Sequence, residues 1–159
     1  MAKKDIGTFK VTSKVRVSDP CYDRDTWCTD LVDLPKGEYI VTVDTVDTGM
    51  FKGRVKTLTM QLLRDEVHAE ALRLSQIGVD SGACGFFNDK NFEQVQKQYE
   101  QLDYTRLPTI LANNLGVVTS SGLGDGVYML TELLNSTGHR IGLTLTFLDD
   151  DDDEGFALY

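Results

Sequence analysis

Polar and β-branched residues alternate along most of this chain in short runs, and the runs end at glycine, proline or asparagine. Alternation with a period of two turns one face of a strand to a core and the other to water, which commits the chain to many-stranded sheets. Thr8 to Val17 reads as one such strand, stopped at Ser18-Asp19-Pro20 because proline cannot donate to a ladder. After Leu34-Pro35-Lys36-Gly37, Glu38 to Thr45 puts Tyr39, Val41 and Val43 on one face. Arg54 to Leu63 follows Asp47-Thr48-Gly49 and alternates with one slip, which a bulge would absorb. Gly116 to Ser120, Val127 to Leu133 and Arg140 to Leu148 complete the set of clear strands, the last two joined through Asn135-Ser136-Thr137-Gly138.

Two segments are less settled. Asp65 to Gln76 fits a helical face through Val67, Ala71 and Leu74, or a strand running on into Ile77-Gly78-Val79. Ile77 to Val79 and Ala83 to Phe87 flank Asp80-Ser81-Gly82, which is either a hairpin tip or a bulged corner. Asn91 to Leu102 is the one helix, with Phe92, Val95, Tyr99 and Leu102 on one side and Asp89 or Asn91 as its cap. These elements predict a mainly β (α+β) domain, an antiparallel β-sandwich or partly closed barrel with one packed helix, over residues 1–148. An acidic tail, residues 149–159, follows it.

Bulk properties narrow the function classes. At 159 residues the chain is the size of one domain, and its longest apolar runs are far short of a membrane span. Met1-Ala2-Lys3-Lys4-Asp5 lacks the apolar core of a secretory signal, so the expectation is a cytoplasmic protein, in a bacterial host if viral. Net charge is −9, and Asp149 to Asp153 with Glu154 supply six of the negative charges, leaving −3 on the remainder. An acidic surface without a Lys/Arg cluster argues against direct nucleic-acid binding. Cys21, Cys28 and Cys84 are sparse and odd in number, which predicts reduced thiols packed as small apolar groups rather than a disulfide framework or a zinc knuckle.

Three Asp/Gly-rich turns carry the candidate site. Ser18-Asp19-Pro20-Cys21-Tyr22, Val79-Asp80-Ser81-Gly82 and Gly122-Leu123-Gly124-Asp125-Gly126-Val127-Tyr128 each set an aspartate in a tight turn with an aromatic residue nearby. The candidate ligand-binding residues are Asp19, Tyr22, Asp80, Ser81, Gly124, Asp125 and Tyr128. Asp19, Asp80 and Asp125 are candidate oxygen ligands for Mg²⁺ or Ca²⁺, although an aspartate in a turn equally satisfies its own backbone. Gly122 to Gly126 lacks the lysine of a phosphate loop and is no strand-to-helix turn. No catalytic residue is assigned: His68 and His139 are both read as surface residues, and carboxylate pairs carry no signal in so acidic a chain. Tyr22, Trp27, Phe86, Phe87 and Tyr128 are read as core or rim packing.

Together the three motifs, with Trp27-Cys28 and Gly85-Phe86-Phe87, resemble a family of uncharacterised small bacterial and bacteriophage proteins. The resemblance implies a compact, largely β domain and carries no catalytic assignment. The function expected is a non-enzymatic binding protein, a phage accessory factor that engages a host protein with a basic surface or sequesters a small ligand. The alternative is a divalent-metal-dependent hydrolase or transferase acting on a phosphorylated substrate. The acidic tail, with Phe156, Leu158 and Tyr159 behind it, is either a steering element for a basic surface or a solubilising end.

Overall fold

The computed structural model describes residues 2–148. In chain order the strands are β1 (Ala2–Val11), β2 (Val15–Ser18), β3 (Asp30–Val32), β4 (Gly37–Thr45), β5 (Val55–Leu62), β6 (Ala69–Val79), β7 (Ala83–Asn88), β8 (Thr109–Leu111), β9 (Gly116–Ser120), β10 (Gly126–Leu134) and β11 (Arg140–Thr146), with the helix α1 (Phe92–Glu100) between β7 and β8. They form a six-stranded sheet ordered β1-β4-β5-β11-β10-β6 and a five-stranded sheet ordered β3-β2-β7-β9-β8. All pairings are antiparallel, and the two sheets make a sandwich.

Period-two alternation builds the larger sheet. Tyr39, Val41, Leu58, Met60, Leu130, Leu143 and Leu145 turn inward and meet Val15, Val17, Cys84, Phe86 and Val117 of the smaller sheet in one core. Threonines occupy the outer face, where the Thr59 and Thr144 hydroxyls bond at 3.0 Å across β5 and β11. The inner strands of the smaller sheet are covered on both faces and read as buried runs: every residue of β2 and β7 is buried. Phe92 and Val95 of α1 cover its back against Ala83, Phe87, Leu111, Leu115 and Val118. The buried Arg16 stacks 5.0 Å from the Phe92 ring and pairs with Asp89 at 2.7 Å, fixing the start of the helix to β2.

Several sequence-based expectations change. Thr8 to Val17 is two strands in different sheets, divided by a corner at Thr12-Ser13-Lys14. The fully buried Asn88 holds that corner: its Oδ1 accepts from Thr12 N–H and Ser13 N–H, and its Nδ2 donates to the Lys10 and Asn114 carbonyls. The slip in β5 is a bulge at Lys56, whose carbonyl accepts from both Phe147 N–H and Leu148 N–H. The undecided segment is a strand from Ala69, because β10 offers it a ladder along nearly its whole length. Asp80-Ser81-Gly82 is no hairpin: β6 belongs to one sheet and β7 to the other, so the turn carries the chain between layers. The short strands β3 and β8, three residues each, are too short to carry a periodic signal in the sequence. The cysteines are free thiols, and Cys28 and Cys84 are buried, but Cys21 is exposed. Among the described residues no helix is long and apolar enough to cross a membrane. The acidic tail lies outside the described residues.

Candidate functional site

The three turns meet at one end of the sandwich, and a buried carboxylate joins the first two. Asp19 follows β2 and is fully buried. Its Oδ1 accepts from Cys21 N–H and from the Ser81 hydroxyl, both at 2.8 Å, and its Oδ2 accepts from Asp80 N–H at 2.8 Å and Ser81 N–H at 2.7 Å. Four donors on one carboxylate balance the cost of removing its charge from water. The bonds clamp the inter-sheet corner to the end of β2.

The third turn is tied to the second through Gly82. Its carbonyl accepts from Ser121 N–H at 3.0 Å and from the Tyr104 hydroxyl at 2.7 Å. Gly82 itself has φ +73, and a Cβ there would lie 3.1 Å from the Tyr104 oxygen, so both backbone and space favour glycine. Tyr128 is buried with its ring edge-on to Phe147, centroids 5.0 Å apart, and its hydroxyl donates to the Gly124 carbonyl at 2.7 Å. Burial raises the Tyr128 hydroxyl pKa above its ordinary value, as it does for Tyr104. Tyr128 is therefore a strut under the loop that holds Asp125.

The predicted residues are gathered, but their side chains do different things. Asp80 and Asp125 flank the Val79–Gly126 pair at the end of β6 and β10, and both are exposed, as is Ser81. Asp19 faces inward with its oxygens occupied. Among the described residues no group of three or more His, Cys, Asp or Glu side chains is arranged to hold a metal ion. Tyr22 is half-buried, and burial together with the neighbouring Cys28 thiol pushes its hydroxyl pKa up. It lies where the loop after Asp19 folds over β6. A Cβ on Gly78 would come 2.5 Å from Cys28 Sγ and 3.3 Å from the Tyr22 oxygen, and Gly78 N–H donates to the Cys28 carbonyl at 2.9 Å. The bare backbone of Gly78 is what lets this loop, with Trp27 on it, lie against the sheet edge.

No protein-family model matches the chain, and neither a curated protein nor a solved structure does.

The geometry includes a feature outside the three motifs. On β6 the usual alternation is inverted. Leu72 and Leu74 face solvent, Leu74 at 97% exposure, while Arg73 between them points toward the opposite sheet. Arg73 donates Nε and Nη2 to the Asp30 carboxylate of β3 at 2.6 and 3.1 Å, and Nη1 to Glu132 of β10. Glu132 in turn sits 3.2 Å from the Arg140 Nε. The hydrogen bond to Asp30 is the main cause that raises the Arg73 pKa further above its usual range, so the guanidinium stays charged and bridges the edges of both sheets. Beside the two leucines, Val127 and Met129 of β10 are 57% and 50% exposed, and Trp27 is 78% exposed rather than packed. The signal was present in the alternation of Leu72 and Leu74 with Arg73, but polar and apolar faces cannot be assigned until the strand's partner is known.

Proposed function

We propose that the protein is a non-enzymatic binding module whose partner is another protein, engaged through the exposed outer face of the edge strand β6 and the adjoining outer face of β10. One observation carries the reading: an edge strand shows its leucines to water and its arginine to the interior. Exposed apolar residues scattered singly need no explanation, whereas several grouped on one sheet edge with an exposed tryptophan mark an interaction surface. Glu70, the inward-pointing Arg73 and the irregular register between Leu72 and Gln76 guard the strand against open-ended pairing, while Leu72 and Leu74 stay exposed to a specific partner. Asp80 and Asp125 stand at one end of the surface, which suits a partner with a basic rim around an apolar centre. The motif resemblance directs the search to a host protein in the bacterial cytoplasm, with the chain acting as a phage accessory factor.

The test is a comparative capture from bacterial lysate with the full chain and three variants, Trp27→Ala, Leu74→Asp and Met129→Asp. A protein retained by the parent and lost from all three, followed by direct titration of that purified protein, is the expected outcome. Equal retention by parent and variants removes this surface from the function. The single tryptophan also serves as a probe, because its emission shifts to shorter wavelength when a partner covers it.

A further inference from the structure

At the end of the sandwich where β1 begins and β4 ends, two recesses of about 430 and 490 Å³ share Thr45, Leu107 and Pro108 and so form one cleft. Its lip is cationic, with Lys3, Lys4 and Arg106 around one recess and Arg54 in the other. Its floor is apolar, formed by Ile6, Val43 and Leu107. No aspartate or glutamate among the described residues lines either part. Lys3, Lys4 and Arg106 form no ion pair with a described residue, although Asp103 lies close enough to Arg106 for its carboxyl to be shifted down in part by that charge. Arg54 is held at the lip by a bond from Nη1 to the Gly122 carbonyl at 3.1 Å and by stacking 5.3 Å from the Phe51 ring. Asp44 stands opposite Lys3 in the β1–β4 ladder and Asp103 stands near Arg106, but in a chain of net charge −9 four cations around an apolar floor still favour an anionic occupant that also carries apolar side chains.

The sequence supplies one that starts at the cleft. Leu148 packs against Gly122, which lines the recess, and its N–H donates to the Lys56 carbonyl. Beyond it come Asp149 to Asp153, Glu154, and then Phe156, Leu158 and Tyr159. Eleven extended residues span up to about 36–40 Å, so reach is not limiting. We propose that residues 149–159 dock in this cleft of their own chain, the carboxylates of Asp149 to Glu154 against Lys3, Lys4, Arg54 and Arg106, and the apolar side chains beyond them over Ile6 and Leu107. The contact masks both the cationic lip and the acidic segment until a partner of stronger charge displaces one from the other. It is independent of the β6 surface and stands or falls without it.

The experiment uses the full chain with Cys21→Ser, which leaves only buried thiols, and Gly155→Cys carrying a nitroxide label, read by relaxation enhancement on isotope-labelled amides. At low ionic strength the Lys3, Lys4, Ile6 and Leu107 amides should lose most of their intensity, while Gly138 and its neighbours keep theirs. The loss should recover in about 1 M salt, where the screening length falls to about 3 Å. It should also recover when Asp149 to Asp153 are changed together to Asn, with an amide spectrum away from the cleft that matches the parent as the check on the fold. Lys3→Glu with Arg106→Glu should have the same effect from the other side. Uniform broadening, or none at the cleft, overturns the proposal. So does equal broadening when nitroxide and isotope sit on different molecules, because a second copy's segment would then be the occupant.

Discussion

Asp19 and Ser81 are joined twice, by Ser81 N–H to Oδ2 at 2.7 Å and by the Ser81 hydroxyl to Oδ1 at 2.8 Å, although 62 positions separate them in the chain. This pair fastens the only described turn between β6 and β7 to the end of β2, and through Gly82 to the loop that carries Asp125. An aspartate chosen by its turn motif as a candidate ligand is thus the fastener of the site.

Asp19→Asn should destabilise the fold by about 3 kcal/mol, because an amide nitrogen would face N–H donors that now share a carboxylate in a buried setting. Ser81→Ala removes one of four bonds and should cost about 1 kcal/mol. Urea unfolding of both variants measures the difference. If Asp19→Asn is as stable as the parent, the carboxylate is not a fastener and a ligand role returns.

The inverted face of β6 predicts opposite responses from neighbouring residues. Leu74→Asp touches only solvent and should change stability by no more than about 0.5 kcal/mol. Arg73→Leu leaves Asp30 and Glu132 facing each other at 13% and 15% side-chain exposure. Its cost should be about 2 kcal/mol, less than for a fully buried pair because water still reaches the group. Thermal melts of the two variants decide it, and a reversed ranking would mean that β6 is not oriented as described.

The sheet architecture was legible because alternation survives wherever one face of a strand is wet: β4, β5, β10 and β11 fall almost where Tyr39, Leu58, Leu130 and Leu143 place them. Where both faces are covered, as in β2, β7 and β9, the pattern becomes a buried run and says nothing about partner or layer. The division of Thr8 to Val17 was hidden for another reason. The group that bends it, Asn88, lies 76 positions from the Thr12 amide it binds, and no local pattern reports such a contact. The candidate site was legible as a meeting of turns and illegible in its chemistry, since the sequence of a turn does not reveal which way its carboxylate points. Asp19 points in, Asp80 and Asp125 out.

Stability should fall at alkaline pH. Cys84 ordinarily ionises at 9.0 and Tyr39 at 10.0, and burial raises both in the folded protein. The same cause raises Tyr22, Tyr99, Tyr104, Tyr128 and Cys21. The unfolded chain therefore releases these protons first, so their contribution is complete below about pH 9 and is lost as pH rises toward the folded values, by about 1.4 kcal/mol per pH unit for buried groups such as Cys84 and Tyr39 once they have ionised only in the unfolded chain, and by much less for the exposed Cys21 and Tyr104, which water screens. Urea midpoints from about pH 8 to about pH 11 should decline, and Cys84→Ala should flatten the early part of the curve. A constant midpoint across that range would contradict the burial of Cys84 and Tyr39.

Gly78 gives the sharpest coupling between fold and proposed surface. A methyl group there would lie 2.5 Å from Cys28 Sγ, in a loop also anchored by the bond from Gly78 N–H to the Cys28 carbonyl. Gly78→Ala should push the loop off the strand, at a cost of about 1–3 kcal/mol from overpacking. Because Trp27 precedes Cys28, the displacement should also alter tryptophan emission and its accessibility to a quencher in the folded protein. The smaller Cys28→Ala side chain should relieve the clash, so the double variant should recover much of the lost stability and return the emission toward that of the parent. Failure of the double variant to recover either property would place the strain elsewhere and detach the position of Trp27 from the bare backbone at Gly78.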